Sequence, residues 1–292
     1  MIGTVVAVHG RHFLVDGGAA GVRDAIECVT RGKKGGVACG DRVVYELTGA
    51  GRGVIESIEP RRNLLYRSDE FRSKLLAANI DQAAIVVAAV PAFNEELLIR
   101  CLVACEVAEI PALIVLNKTD LEETGALADK LAAYAGLGYP LLRLSARGDL
   151  AALEQRLAGQ ATILVGASGV GKSTLLNRLV PDAGAATGEI SLALDAGKHT
   201  TTHARMFTLP GGGALIDSPG MQEFGLKHLD LASLMAAFPE IRERLGQCRF
   251  HNCRHLKEPG CAVLEAARDG AILASRLKVY HWLLAGLGKP GA

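Results

Sequence analysis

The chain has 292 residues, 49% of them hydrophobic, which is enough for two or three packed domains. No stretch reaches the roughly 18 uninterrupted apolar residues of a spanning helix, and Met1–Thr4 opens no charged leader with an apolar run behind it, so a cytoplasmic, monomeric protein without a membrane partner is expected. Net charge is only +1, but 12 Lys/Arg against 9 Asp/Glu in residues 1–74, 11 against 17 in 75–235 and 9 against 5 in 236–292 leave basic ends, suited to a polyanion, around an acidic centre.

The first 60 or so residues read as short strands. Thr4–Val8 and His12–Val15 are separated by His9-Gly-Arg11, and Arg42–Tyr45 and Gly53–Ile58 follow. Between the pairs lies a basic glycine-rich loop, Arg31-Gly-Lys-Lys-Gly-Gly36. Close strands with glycine turns predict a small β-barrel of the OB type, over residues 1–70, a fold commonly used to bind nucleic acid.

From about Arg72 apolar runs alternate with helical segments. Gln82–Ala89, Ala112–Leu116, Ala161–Val165 and Ala214–Ile216 have the apolar content of strands buried on both faces, and Glu95–Ile110 has helical periodicity. This predicts a three-layer α/β domain over residues 71–232. Asn117-Lys118-Thr119-Asp120, at the end of one such strand, has the form of a guanine-specificity motif. The Asp120 carboxylate can accept from guanine N1–H and its exocyclic amine, donors that adenine does not present in this pairing. Asn117 can reach the other base edge and Lys118 can lie across a phosphate loop. Leu144-Ser145-Ala146 follows where a second guanine-contact loop belongs.

Gly166-Ala167-Ser168-Gly169-Val170-Gly171-Lys172-Ser173-Thr174 is a phosphate-binding loop placed between an apolar strand and a helix, Ser173–Leu179. Its glycines let backbone N–H groups approach phosphates at a helix N-terminus. Lys172 would neutralise the β- and γ-phosphates and the Ser173 hydroxyl would ligate Mg²⁺. Gly197–Thr202 lies where a first switch belongs, with Thr201, or else Thr200, reaching Mg²⁺ and the γ-phosphate. Asp217-Ser-Pro-Gly220 matches DxxG, with Asp217 acting on Mg²⁺ through a water and the Gly220 N–H sensing the γ-phosphate. The residue after DxxG is Met221, which cannot orient a water, and Gln222 one position later is not expected to substitute. His199 is the local candidate for that role, against a plain switch-ordering role. The expected catalytic set is therefore His199, Thr201 and Lys172. The order of these motifs is unusual, because NKxD precedes the phosphate loop by about fifty residues. A GTPase domain with permuted connectivity follows.

Beyond Leu226 strands give way to helical segments, Ser233–Leu245 and Val263–Leu284, in a module covering residues 233–292. Between them Cys248, Cys253, His255 and Cys261 supply three thiolates and an imidazole, the set for a closed structural Zn²⁺ site, with His251 a competing ligand. The odd total of seven cysteines argues against a disulfide framework. Cys28, Cys39, Cys101 and Cys105 read as small core residues.

Barrel, permuted NKTD–SA–GASGVGKST–GKHTTT–DSPG core and CxxxxCxHxxxxxC module together resemble the RsgA (YjeQ) family of ribosome-biogenesis GTPases along essentially the whole chain. The resemblance implies a late assembly factor of the bacterial 30S subunit, binding 16S rRNA near the decoding region. It also implies slow GTP hydrolysis stimulated by the subunit and help in releasing other assembly factors. The competing expectation is a GTP-gated RNA-binding or scaffolding module whose hydrolysis is incidental.

Overall fold

The structure, a computed structural model, describes residues 1–18, 25–31, 36–68, 73–181, 204–217, 226 and 229–287. Five strands come first: β1 (Ile2–His9), β2 (His12–Asp16), β3 (Ile26–Thr30), β4 (Arg42–Gly49) and β5 (Arg52–Ile58). Antiparallel β1–β2, β2–β3 and β4–β5 pairs, a parallel β3–β5 pair and a closing β1–β4 pair make the OB-type barrel expected. Val5, Phe13, Val15, Cys28, Val43, Tyr45 and Ile55 fill its interior. Gly3 is required by close approach: a Cβ there would lie 2.6 Å from the Val15 side chain and 2.7 Å from the Asp16 carbonyl. β3 was not among the predicted strands, since only Cys28 of its five residues is buried and no alternation advertises it.

A hairpin, β6 (Leu64–Ser68) and β7 (Ser73–Ala78), follows as a separate two-stranded sheet. The expected boundary at 70/71 falls between its strands. Leu65, Leu76 and Ala77 are buried in the core of the next domain, so the hairpin straps the barrel to it.

That domain comprises β8 (Gln82–Val87), α1 (Glu95–Val107), β9 (Ala112–Leu116), α2 (Thr124–Ala135), β10 (Leu141–Arg143), α3 (Ala151–Leu157), β11 (Ala161–Val165), α4 (Lys172–Leu179), β12 (Arg205–Thr208) and β13 (Ala214–Asp217). The sheet order is β10-β9-β8-β11-β13-β12, parallel except for β12. Alternate residues of its strands feed two cores. Ile85, Val87, Ile114, Leu116, Ile163 and Val165 face α1 and α2, whereas Ala84, Val86, Leu113, Val115 and Leu164 face α3 and α4. Burial on both faces is why these runs are apolar throughout. The phosphate-loop strand β11 is central: the strands that precede it in the chain lie on one side, those that follow on the other. The permutation thus changes chain order while keeping the crevice between β8 and β11, where ligands gather in open α/β sheets. At the far edge β12 meets β1 (Ala7 opposite Arg205), joining both units in one eleven-stranded sheet.

The C-terminal region contains α5 (Leu231–Ala236), α6 (Pro239–Arg242), α7 (Ala262–Arg268) and α8 (Ala274–Gly286). The two long helices expected here are each broken. Pro239 carries no N–H and disfavours helical geometry at the preceding residue, so α5 stops and α6 starts anew. Gly270, at φ +77°, ends α7, with the Ala271 N–H reaching back 2.8 Å to the Ala266 carbonyl.

A candidate nucleotide site and a candidate metal centre

The phosphate loop runs from β11 into α4 as the motif requires. Gly166, Gly169 and Gly171 adopt φ of +144°, +78° and +102°, a region that side chains rarely enter. At Gly171 a Cβ would also lie 2.3 Å from the Asn117 amide nitrogen. Ser168 in the loop and Ser173 and Thr174 at the start of α4 are exposed, and Val170 is buried beneath the loop. The Lys172 ammonium donates to the Gly166 and Ala167 carbonyls at 2.8 and 2.7 Å. Burial lowers its pKa against the opposing charge of Asp217, and burial raises that of Asp217, at the end of β13, against Lys172. Both charges are thus costly as they stand, a condition that an anionic phosphate and a divalent cation would relieve.

The NKTD segment is bound to the phosphate loop through side chains. Buried Asn117 donates from Nδ2 to the Val170 carbonyl and accepts at Oδ1 from the Ala146 N–H, each at 2.8 Å. Lys118, at φ +62°, extends over the loop and donates to the carbonyls of Val90 (2.7 Å) and Gly169 (2.8 Å). The Thr119 N–H reaches the Leu144 carbonyl at 3.2 Å, and Thr124 Oγ1 caps the Lys118 carbonyl at 2.8 Å. Exposed Asp120 is held below its ordinary pKa by a hydrogen bond from Ser145, with Arg147 and Lys118 adding positive charge. It therefore stays an acceptor-only carboxylate at neutral pH. The structure brings together residues 117–120, 145–146, 166–174 and Asp217, although their motifs span about a hundred residues. His199, Thr200, Thr201, Gly220, Met221 and Gln222, as well as Lys33 and Lys34, lie outside the described residues. Arg178, which no sequence motif marks, donates to the carbonyls of Ala146 (2.9 Å) and Gly148 (3.1 Å). A lone arginine in the last turn of a helix belongs to no motif, and no spacing rule flags it.

The second cluster closes around Cys248, Cys253, His255 and Cys261, whose ligand atoms all lie within 4.8 Å of one another. Cys248 Sγ is 3.8 Å from Cys261 Sγ, and His255 Nδ1 is 3.6 and 3.3 Å from these sulfurs. A tetrahedron with arms of about 2.3 Å to sulfur and about 2.0 Å to nitrogen has edges of about 3.8 and 3.5 Å, so the donors fit Zn²⁺. His255 sits at φ +60°, and its loop is fixed from two sides. Glu258 accepts backbone N–H groups of Arg254, Leu256 and Lys257 at 2.9, 2.8 and 2.9 Å, and His281 Nε2 meets the His255 carbonyl at 2.7 Å. A little burial would raise the Glu258 carboxyl, but these amides bring it down to about 2.

A phosphate loop on the central strand, a base motif hydrogen-bonded to it from an earlier part of the chain and an OB-type barrel ahead of both define a circularly permuted P-loop GTPase. The RsgA GTPase family model matches residues 58–227. The small ribosomal subunit biogenesis GTPase RsgA of Burkholderia pseudomallei strain K96243 is 55% identical over 290 residues, covering 97% of this chain and 91% of that protein. RsgA of Paraburkholderia phymatum is 54% identical, covering 97% and 90%. The crystal structure of YjeQ from Thermotoga maritima superposes with a TM-score of 0.75 at 30% identity, covering 99% of each chain. That of YloQ, described as a circularly permuted GTPase, superposes with a TM-score of 0.71 at 29% identity, covering 97% and 94%. The chain belongs to the RsgA GTPase family, and it is a GTPase. Among the described residues no helix is long and apolar enough to cross a membrane.

Proposed function

We propose that this chain is a cytoplasmic GTPase of late 30S subunit maturation. It binds GTP and GDP, hydrolyses GTP to GDP and phosphate under stimulation by the subunit, contacts 16S rRNA and promotes release of other assembly factors. The observation that carries the nucleotide reading is the direct bonding of Asn117 and Lys118 to the 166–174 loop, which supports reading the two segments as the base and phosphate sides of one crevice. The names of the relatives support the ribosomal reading. Residues 1–70 serve as the RNA-binding barrel, 71–232 as the GTPase domain and 233–292 as the zinc module, and the protein acts as a monomer.

In this reading Asp120, Ser145 and Ala146 take the base. The 166–174 loop and Lys172 take the phosphates, and Ser173, Thr201 and, through a water, Asp217 hold Mg²⁺. When bound, the cation neutralises charge that develops on the phosphate oxygens. Thr201 and the Gly220 N–H report the γ-phosphate, and His199 positions the attacking water. The test is turnover of radiolabelled GTP with and without purified small subunits. Stimulation is expected, and its absence would favour an RNA-binding module with incidental hydrolysis.

Two substitutions probe the site. Asp120→Asn should lower GTP affinity roughly tenfold or more, because an ionised acceptor is replaced by a neutral amide. Titration with guanosine and xanthosine nucleotides checks this, and unchanged GTP affinity would remove Asp120 from the base site. Lys172→Ala should abolish hydrolysis while the barrel stays folded by circular dichroism, and normal turnover would refute the phosphate-loop assignment.

A further inference from the structure

Arg178 lies in the last turn of α4, well removed from the phosphate loop that opens the helix, yet its guanidinium reaches the base side of the crevice. Nη1 donates to the Ala146 carbonyl at 2.9 Å and Nη2 to the Gly148 carbonyl at 3.1 Å. Two donors of one rigid plane thus bracket Arg147 and pin its loop at two points. From the opposite side the Ala146 N–H is tied to Asn117, and Asn117 to the Val170 carbonyl of the phosphate loop. Because that loop continues into α4, the bonds form a closed circuit: Val170, Asn117, Ala146, Arg178 and back along the helix. Within the circuit, a turn bond from the Gly148 N–H to the Ser145 carbonyl (2.9 Å) presents Ser145 to Asp120. Arg178 is itself exposed, and the helix ends on its own backbone bond from Val180 to Leu176 (2.8 Å), so the end of the helix closes without this side chain.

We infer that Arg178 is a positioning residue for guanine recognition, holding the 145–148 loop against the phosphate-loop helix so that the base end of the site is preorganised. This rests on the reading of residues 117–120 and 145–146 as the base site. Preorganisation lowers the ordering cost of binding for a ligand that uses the loop and leaves unaffected one that does not.

The experiment uses the full chain with Arg178→Ala and Arg178→Met, the second retaining an apolar stem without donors. Displacement of a fluorescent GDP by GDP, ADP and inorganic pyrophosphate is measured beside thermal melting. Both variants should lose roughly five- to tenfold in GDP affinity, with ADP and pyrophosphate unchanged, so that guanine preference shrinks by the same factor at an unaltered melting temperature. Wild-type protein that does not prefer GDP over ADP would remove the base-site reading itself. A wild-type preference retained in either variant overturns the role of Arg178 and leaves the site standing. Equal loss for GDP and pyrophosphate also overturns it, since that pattern marks a general disturbance of the helix.

Discussion

Replacing Cys261 with Ser, or stripping the protein with a chelator, is expected to unfold the C-terminal module while guanine-nucleotide binding persists. Between the end of α6 and the start of α7 the chain has no helix or strand. Its support includes turn bonds, the Arg249 N–H on the Gly260 carbonyl at 2.9 Å, the Glu258 carboxylate on three backbone N–H groups, and the Tyr280 and His281 contacts to the Arg254 and His255 carbonyls. Buried Cys253 and Cys261 pack in the same core as Val263, Ile272 and Tyr280. Without a metal that core would contain three thiols and an imidazole at contact distance, with only these few bonds to fix their positions. In such sites metal-binding energy is folding energy, on the order of 10 kcal/mol. Metal analysis should find one Zn²⁺ per chain, and chelation should remove a melting transition. Zinc-free protein that melts normally would defeat the assignment.

Arg276→Met should destabilise the interface between the GTPase domain and this module by about 3–5 kcal/mol, the cost of leaving one partner of a buried ion pair alone. Arg276 on α8 and Glu240 on α6 are both almost wholly excluded from solvent. The guanidinium donates from Nε and Nη2 to the two carboxylate oxygens, the latter at 3.0 Å. It also lies 5.0 Å from the ring centre of Phe238 and 5.9 and 5.8 Å from those of Tyr134 and Tyr139 in the GTPase domain. One side chain thus joins three segments. Chemical denaturation checks the value, and a companion Glu240→Leu change on the Arg276→Met background should restore most of the loss, because the unpaired buried charge disappears. A loss below about 1 kcal/mol in the single variant would show that the carboxylate finds another partner or water.

Motifs whose chemistry is contiguous were legible in the sequence. The NKTD, SA and phosphate-loop segments each carry their function in adjacent residues, and the structure sets them at the ends of β9, β10 and β11. The four candidate metal ligands were legible because they fall within fourteen residues of a chain otherwise poor in clustered cysteines. The barrel's strands β1, β2, β4 and β5 followed from apolar patterning and glycine turns, and the permutation from motif order alone. The helix breaks at Pro239 and Gly270 are not legible in the periodicity, which continues past single residues whose effect is local.

What the sequence by itself determined, then, is the inventory: a barrel, a permuted P-loop sheet and a helical module with a Cys3His cluster that fits a metal, together with the candidate residues for each site. Only the tertiary structure decided the bonds that make these parts one site. Asn117 bonds to Val170, fifty-three positions away, and Arg178 to Ala146, thirty-two away. Arg276 meets Glu240 across thirty-six positions, and β12 meets β1 at Ala7 and Arg205, nearly two hundred positions apart. Propensity and periodicity are properties of a few neighbouring residues. A hydrogen bond between distant segments depends on where the packed sheet and helices place both partners, and no spacing along the chain records that.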